Sequence, residues 1–368
     1  MVMQKKLFIL GTRGIPAEHG GFETFAEYLS IYLVKNGWEV TVYCQESGFY
    51  TAHESNWNGV KRIHIPVNTS GALGTIVFDL KSILHASWNN GLHLTLGYNT
   101  ALFNVIQRLR GIVNIVNMDG IEWKRQKWGR VHKLWFWLNE GLGCWFGNHL
   151  IADHPKIKDH LALRVSCNKI SVIPYGGLEV KNPDKSILGD YKLVKNEYVV
   201  VVARPEPENS ILEMVEAFSY KKRGHKLVIL GDYSVNNRYH QQIKKAASKE
   251  VIFVGAIYDS DKVSALRFYS RFYMHGHQVG GTNPSLVEAL GASCAVIAHD
   301  NQFNRWVASN GAFYFKTTEE LKRFFESEYL NDDFVEVKRK NSLQQFLLNF
   351  QWQNVLEEYE ILLRKFLV

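Results

Sequence analysis

Strand-length apolar runs that end in glycine or a charged residue, each followed by a helical stretch, recur from one end of this chain to the other. Few folds accommodate that alternation. Strands are expected at Lys5 to Gly11, Glu39 to Cys44, Val60 to Val67, Leu92 to Gly97, Asn114 to Asp119, His149 to Asp153 and Lys169 to Pro174, with helices near 22–36, 74–88, 100–109 and 131–146. Alternation of this kind builds a doubly wound parallel sheet. After IPYGGLEV the pattern restarts, with strands at Glu197 to Arg204, His225 to Asp232, Val251 to Ala256, Arg271 to His277 and Ala295 to Asp300. A second α/β sheet of the same Rossmann-like class therefore begins near residue 177. With 368 residues, 46% of them hydrophobic, the chain has material for two cores. The final helical segment, about 334–366, carries an apolar stripe of Trp352, Val355, Leu356, Tyr359, Leu362 and Leu363, expected to pack back on the first domain. The predicted domains are 1–176 with the C-terminal helix 346–368, and 177–345.

Composition removes several classes. Cys44, Cys144, Cys167 and Cys294 lie far apart without metal-ligand spacing, so neither a disulfide framework nor a zinc site is expected. MVMQKKLFILG runs straight into a glycine loop and reads as the first strand of a fold rather than a signal peptide. The most apolar later window, Leu134 to Ala152, is broken by Asn139, Glu140, Asn148 and His149 and is too short and interrupted to span a bilayer. A cytoplasmic location is expected.

The densest functional signal is His275 to Leu290, HGHQVGGTNPSLVEAL. Gly280 and Gly281 allow a tight turn, Asn283 and Pro284 suit a helix cap and first turn, and the first-turn amides with the helix dipole favour a phosphate. Thr282 and Ser285 belong to the same turn, and Glu288, about one helical turn further in, would accept hydrogen bonds from the hydroxyls of a sugar or ribose. Arg204 ends the first strand of the second domain, where a permanent charge and forked donors suit a diphosphate. His275 and His277 are not a metal pair by themselves; one is expected in the core and His277 at the site. In the first domain GTRGIPAEHGG joins strand to helix. Its glycines miss the GxGxxG spacing and no acidic residue ends the second strand, which argues against NAD. A loop carrying Arg13, His19, Gly20 and Gly21 suits lining a cleft. Asp119, at the carboxyl end of its strand, falls where open α/β sheets place ligands.

Net charge is +7, and most of it lies early: residues 1–176 hold 18 Lys and Arg against 12 Asp and Glu, the remainder 25 against 24. EWKRQKWGRVHKLWFWL interleaves Lys124, Arg125, Lys127, Arg130 and Lys133 with Trp123, Trp128, Trp135, Phe136 and Trp137. Such a segment suits an anionic membrane surface; a helix with core aromatics and solvated charges is the alternative, and nucleic acid lacks any accompanying motif.

Together the two halves, the early glycine loop, the Arg after the first strand of the second half and the late Glu-bearing helix resemble a retaining GT-B glycosyltransferase of family four. More narrowly, GTRGIPAEHGGFETF, NMDGIEWKRQKW, RPEPEN and GHQVGGTNPSLVEAL are similar to the bacterial rhamnosyltransferase branch that builds surface polysaccharides. The resemblance implies two Rossmann-like domains facing a cleft, Gly20 and Gly21 lining it, Arg204 on the diphosphate and Glu288 on the ribose. It further implies front-face transfer in which the departing phosphate takes the acceptor's proton and Asp119 orients donor sugar or incoming hydroxyl. The donor implied is dTDP-rhamnose, used as co-substrate with no separate cofactor. The acceptor implied is a prenyl-pyrophosphate-linked saccharide at the inner face of the cytoplasmic membrane, as in O-antigen or capsule synthesis. Two departures stand out. Gly280 occupies the place of the first of two glutamates usually seven apart, and Asn209 replaces the usual Lys partner of the Arg, so the missing charge is expected from Arg13, Lys124 or the amides of Gly281 to Ser285. With no DxD motif or ligand cluster, no metal is expected. UDP- or GDP-linked donors, a sugar-nucleotide epimerase and a non-catalytic nucleotide-binding module share the same folds and phosphate site.

Overall fold

The computed structural model describes residues 5–18, 20–48, 51–327 and 331–367. His19 of the glycine loop lies outside them. The chain forms two compact units: Met1–Lys124, Trp128–Tyr175 and Trp352–Val368 in the first, and Arg125–Lys127 with Gly176–Gln351 in the second.

The first unit contains β1 (Lys6–Leu10), β2 (Glu39–Glu46), β3 (His53–Trp57), β4 (Val60–Pro66), β5 (Leu92–Leu96), β6 (Asn114–Asn117), β7 (His149–Ala152) and β8 (Ile170–Val172). They form one sheet in the order β3-β4-β2-β1-β5-β6-β7-β8, parallel except for the antiparallel β3–β4 pair. Alternate residues of β1 divide between two cores. Leu7 and Ile9 join Leu29, Leu33 and Leu94 on one face, and Phe8 and Leu10 join Tyr43, Ile63 and Phe78 on the other. A sheet covered on both sides in this way has apolar side chains at every strand position, which is why its central strands read as continuous apolar runs.

The second unit adds β9 (Tyr198–Val202), β10 (Lys226–Leu230), β11 (Val251–Gly255), β12 (Phe272–His275), β13 (Val296–His299) and β14 (Ala312–Phe315). Their order is β11-β10-β9-β12-β13-β14, all parallel. Tyr198 and Val200 face the helix Pro284–Gly291 through Leu286 and Leu290, while Val199 and Val201 face Met214, Val215 and Phe218.

Three sequence expectations are corrected. The segment 334–366 is two helices, Asp332–Asn349 and Trp352–Arg364, so the chain returns to the first unit at 352 rather than 346. Phe346 and Phe350 explain the shift, because both are buried in the second unit's core. Strand β3 was not anticipated, since HESNW is polar and lies at a sheet edge. Residues 125–127 group with the second unit, which divides the basic aromatic segment. The final helix buries its stripe from Trp352 to Leu363 in the first unit's core. Glu360 anchors it by accepting from Trp38 Nε1 at 3.0 Å and Asn36 Nδ2 at 3.0 Å.

Candidate active site

In the second unit the chain leaves β9 for β10 and β11 on one side and returns as β12 on the other, so the topological switch point lies between β9 and β12. The loops that follow these two strands carry Arg204 to Ser210 and Gly276 to Asn283. They are tied together. Ser210 Oγ donates to Gly276 O at 2.8 Å, Gln278 N to Glu208 O at 2.9 Å and Gln278 Nε2 to Ser210 Oγ at 2.8 Å. Asn209 Nδ2 donates to Arg204 O, which leaves its Oδ1 to accept from His277 Nδ1 at 2.5 Å. Asn209 thus connects the Arg204 loop to the glycine loop, a structural task that a lysine ammonium, having no acceptor, could not perform.

His277 is further fixed through its carbonyl, which accepts from Asn301 Nδ2 and Asn304 Nδ2. Its pKa is lowered to about 3, first by burial and then by Arg125 and Arg204, with Lys127 also contributing. The imidazole is therefore neutral, and three cations act on one small region. Arg125 is partly offset by buried Glu208, 3.8 Å away. Arg125 and Lys127, which the sequence showed only as members of a basic run, thus act on this region beside Arg204. His275 lies in the core, its pKa lowered well below 6.5 by burial.

The helix after the glycine turn begins at Pro284 with Asn283 as N-cap, Oδ1 accepting from Ser285 N at 3.0 Å. This narrows the expected anion cradle. Pro284 has no N–H and the Ser285 amide serves the cap, so of Gly281 to Ser285 only Gly281, Thr282 and Asn283 keep an amide outside it. The Ser285 hydroxyl is likewise spent, donating to Val202 O and meeting Tyr273 Oη and Arg267 Nη2, each at 2.8 Å. Arg267, buried in the helix Ser260–Phe268, also pairs with Glu288 Oε2 at 2.6 Å. It holds Glu288 from behind, and no motif in the sequence marked it. Gly280 has φ +127°, so a glutamate could not take that place on this backbone without strain.

In the first unit the corresponding switch lies between β1 and β5. The loop after β1 carries Arg13, whose N–H donates to Glu23 Oε1 at 3.3 Å and whose carbonyl accepts from Gln45 N at 2.8 Å. Gly20, with φ +92°, turns the chain into the helix Gly21–Lys35. Beside this loop is a cavity of about 520 Å³ lined by Arg13, Glu23, Glu46, Arg62, His64 and Ser70 among others. Asp119 follows β6 in a left-handed conformation (φ +52°), its N–H held by Asn117 Oδ1 at 3.0 Å. The next residues are fixed by Tyr98 Oη, which donates to Gly120 O and accepts from Glu122 N. Arg13 and Gly20 thus share one loop, Gly21 opens the helix it leads into, and Asp119 lies in another loop two strands away in the sheet.

The basic aromatic segment is not a uniform surface. Trp123, Trp128 and Trp135 turn their indole N–H groups to Glu140, Glu122 and Asn99 O, and Phe136 is buried. The outer side of the helix Arg130–Phe146 instead exposes Val131, Leu134, Leu138 and Trp145. Among the described residues no helix is long and apolar enough to cross a membrane. The expectation that no ligand cluster exists is also corrected: Glu46, His53 and His64 bring their donor atoms within 4.8 Å of one another.

Residues 189–341 match the family model described as glycosyl transferases group 1, and residues 4–178 match a domain of unknown function, DUF1972. No curated protein matches the chain in sequence. Among solved structures, sucrose-phosphate synthase from Thermosynechococcus elongatus is similar over 98% of this chain and 99% of its own at 15% identity, with TM-score 0.78. HepE from Anabaena in complex with UDP is similar over 98% and 100% at 14% identity, TM-score 0.75. A glycosyltransferase from Rickettsia africae is similar over 98% of both chains at 13% identity, TM-score 0.70. The fold is GT-B, with two Rossmann-like sheets, and the match to glycosyl transferases group 1 falls within the second unit.

Proposed function

We propose that the protein is a retaining glycosyltransferase that moves L-rhamnose from dTDP-rhamnose to a prenyl-pyrophosphate-linked saccharide without a metal at the donor phosphates. The observation that carries the donor reading is the gathering of Arg125, Arg204 and Lys127 around buried His277, whose proton is disfavoured first by burial and then by these three cations. A region on which three cations act favours a diphosphate, and they supply the counter-charge that a metal provides elsewhere. Arg204 and the amides of Gly281 to Asn283 stabilise the departing nucleotide, and Glu288, steadied by Arg267, accepts from the ribose. Asp119 orients the donor sugar or the incoming hydroxyl, and the departing phosphate takes the proton. Gly280, in place of a carboxylate, removes a contact to sugar hydroxyls, which suits a 6-deoxy sugar; the choice of rhamnose rests on the resemblance of the loops quoted above.

The first unit is proposed to take the acceptor, with the cavity beside Arg13 and Arg62 receiving its polar end. Peripheral attachment at the inner face of the cytoplasmic membrane is supported by the exposed apolar side of the helix Arg130–Phe146 together with exposed Lys124, Lys127 and Arg130. Charge reversal of these three should abolish binding to anionic vesicles; unchanged binding would make the segment structural. A UDP-hexose donor is the second reading, favoured by the similar HepE structure, which holds UDP. The deciding experiment incubates the protein with dTDP-rhamnose, UDP-glucose and GDP-mannose, with and without a lipid-linked acceptor, and follows the product's anomeric centre by NMR. Acceptor-dependent release of dTDP with a retained anomeric configuration supports the reading. Isomerised donor without acceptor would replace it with an epimerase.

A further inference from the structure

We infer that Glu46, His53 and His64 form a binding site for a divalent transition-metal ion of the zinc class, at the edge of the first unit's sheet. Strand pairing creates the site. His53 and His64 face each other directly across the antiparallel β3–β4 pair, and Cys44 pairs with His64 across β2–β4, so Glu46, two residues further on, shares that face. The two imidazole rings stack with centroids 4.5 Å apart and planes within 1°, and His53 Nδ1 lies 3.5 Å from Glu46 Oε2.

Tetrahedral coordination at zinc distances separates neighbouring donors by about 3.3 Å. The three donor atoms, within 4.8 Å of one another, approach that spacing by small side-chain rotations. His53 and Glu46 are free to make them, with side chains 48% and 39% exposed. His64 is already oriented by a 2.8 Å hydrogen bond between its Nε2 and Ser55 Oγ. A partner on one ring nitrogen fixes the tautomer at the other, which is how metal-bound histidines are usually held. Two imidazoles and one carboxylate suit zinc, cobalt or nickel better than magnesium or calcium, which prefer all-oxygen sets. The opposing charge is Arg62, on the same face of β4, but its guanidinium is directed to Ile15 O and Ser55 Oγ. Three protein ligands leave a fourth position for water or another oxygen. Since Glu46 and His64 also line the 520 Å³ cavity, a bound ion borders whatever occupies it. None of the ligands belongs to the unit that carries the loops after β9 and β12.

The test uses tag-free, chelator-stripped full-length protein titrated with Co2+ by visible absorption and with Zn2+ by calorimetry, in the absence of substrates. One equivalent is expected, with binding lost in His53→Ala and in Glu46→Gln. Ser55→Ala should weaken it by roughly 10- to 100-fold. His53 and Glu46 are substantially exposed, so melting of both variants in chelator should match the parent. Failure of the parent to take up metal, or equal uptake by His53→Ala and Glu46→Gln, overturns the inference and leaves the glycosyl-transfer reading untouched.

Discussion

The two units present the carboxyl edges of similar sheets in different ways. In the second, the loops after β9 and β12 are joined by hydrogen bonds through Ser210, Asn209 and Gln278, and cations gather around one neutral histidine. In the first, the loop after β1 borders a sizeable cavity whose lining mixes Arg13 and Arg62 with Glu23 and Glu46, and Asp119 stands two strands away. A fixed edge on which several cations converge is pre-organised for one anionic group at low reorganisation cost. A roomier edge of mixed charge suits a ligand whose shape and hydroxyl pattern are the variable part. The contrast supports the proposal that the second unit takes the constant nucleotide diphosphate and the first the variable acceptor.

The sharpest way to break that assignment is to remove one cation from each edge. Arg204→Ala should lower kcat/KM by ~10² to 10³, the usual consequence of losing one pre-organised donor to a developing charge, with weaker nucleotide binding by calorimetry. Arg13→Ala should act mainly on the KM for acceptor. Equal loss of nucleotide affinity in both variants would mean that the diphosphate is shared between the units. Asp119→Asn comes next: turnover should fall on the order of 10² while donor affinity is nearly kept. Full activity in that variant removes Asp119 from the mechanism.

How much of this was legible follows the same division. The second unit's candidate site lies in contiguous stretches, RPEPENS and HGHQVGGTNPSLVE, where the glycines, cap residues and charges are a few positions apart, so turn and helix-cap chemistry marks the loops that the structure joins. The core stripe Trp352 to Leu363 was equally readable from its 3.6-residue period. Arg267 was not, since it projects from a different helix and reaches Glu288 and Ser285 only through tertiary packing. Glu46, His53 and His64 were hidden for a similar reason: their proximity depends on the pairing register of β3, a polar edge strand without an apolar signature. Asn209 was read as a lost charge, whereas its two hydrogen bonds join the loops.

Arg267 also changes what Glu288 does. Removing the carboxylate leaves a buried guanidinium without its ion-pair partner, and an unsatisfied buried polar group costs about 1–3 kcal/mol. Glu288→Ala should therefore lose donor affinity and also melt lower. Glu288→Gln, which keeps an acceptor for Arg267, should recover most of the stability and little of the affinity. Equal melting of parent and Glu288→Ala would mean that Arg267 finds another partner and that Glu288 belongs to the ligand alone.

The smallest effect separates the units by pH. His277 and His275 are held neutral, the former with its pKa lowered to about 3. The unfolded chain then binds more protons than the folded one wherever the pH lies between these lowered values and about 6.5, and stability falls on acidification through that window. The stabilisation is fully present above about 6.5. In the first unit, burial lowers His93 to about 4 and also lowers His64 and His149, but raises Asp79 to about 6. Asp79 has the opposite sign: the folded state holds its proton more tightly, so between 3.8 and about 6 its contribution improves as pH falls, offsetting His93. In the second unit His275, His277 and His299 are all lowered by burial and reinforce one another, at roughly 1 kcal/mol per pH unit for each group that must be charged on unfolding. Acidification from pH 7 to 5 should therefore weaken the second unit more than the first, seen as earlier loss of hydrogen-exchange protection in β9 and β12 than in β1 and β5 after correction for intrinsic rates. His277→Asn should remove part of that difference, and uniform loss across both sheets would mean that the units unfold together.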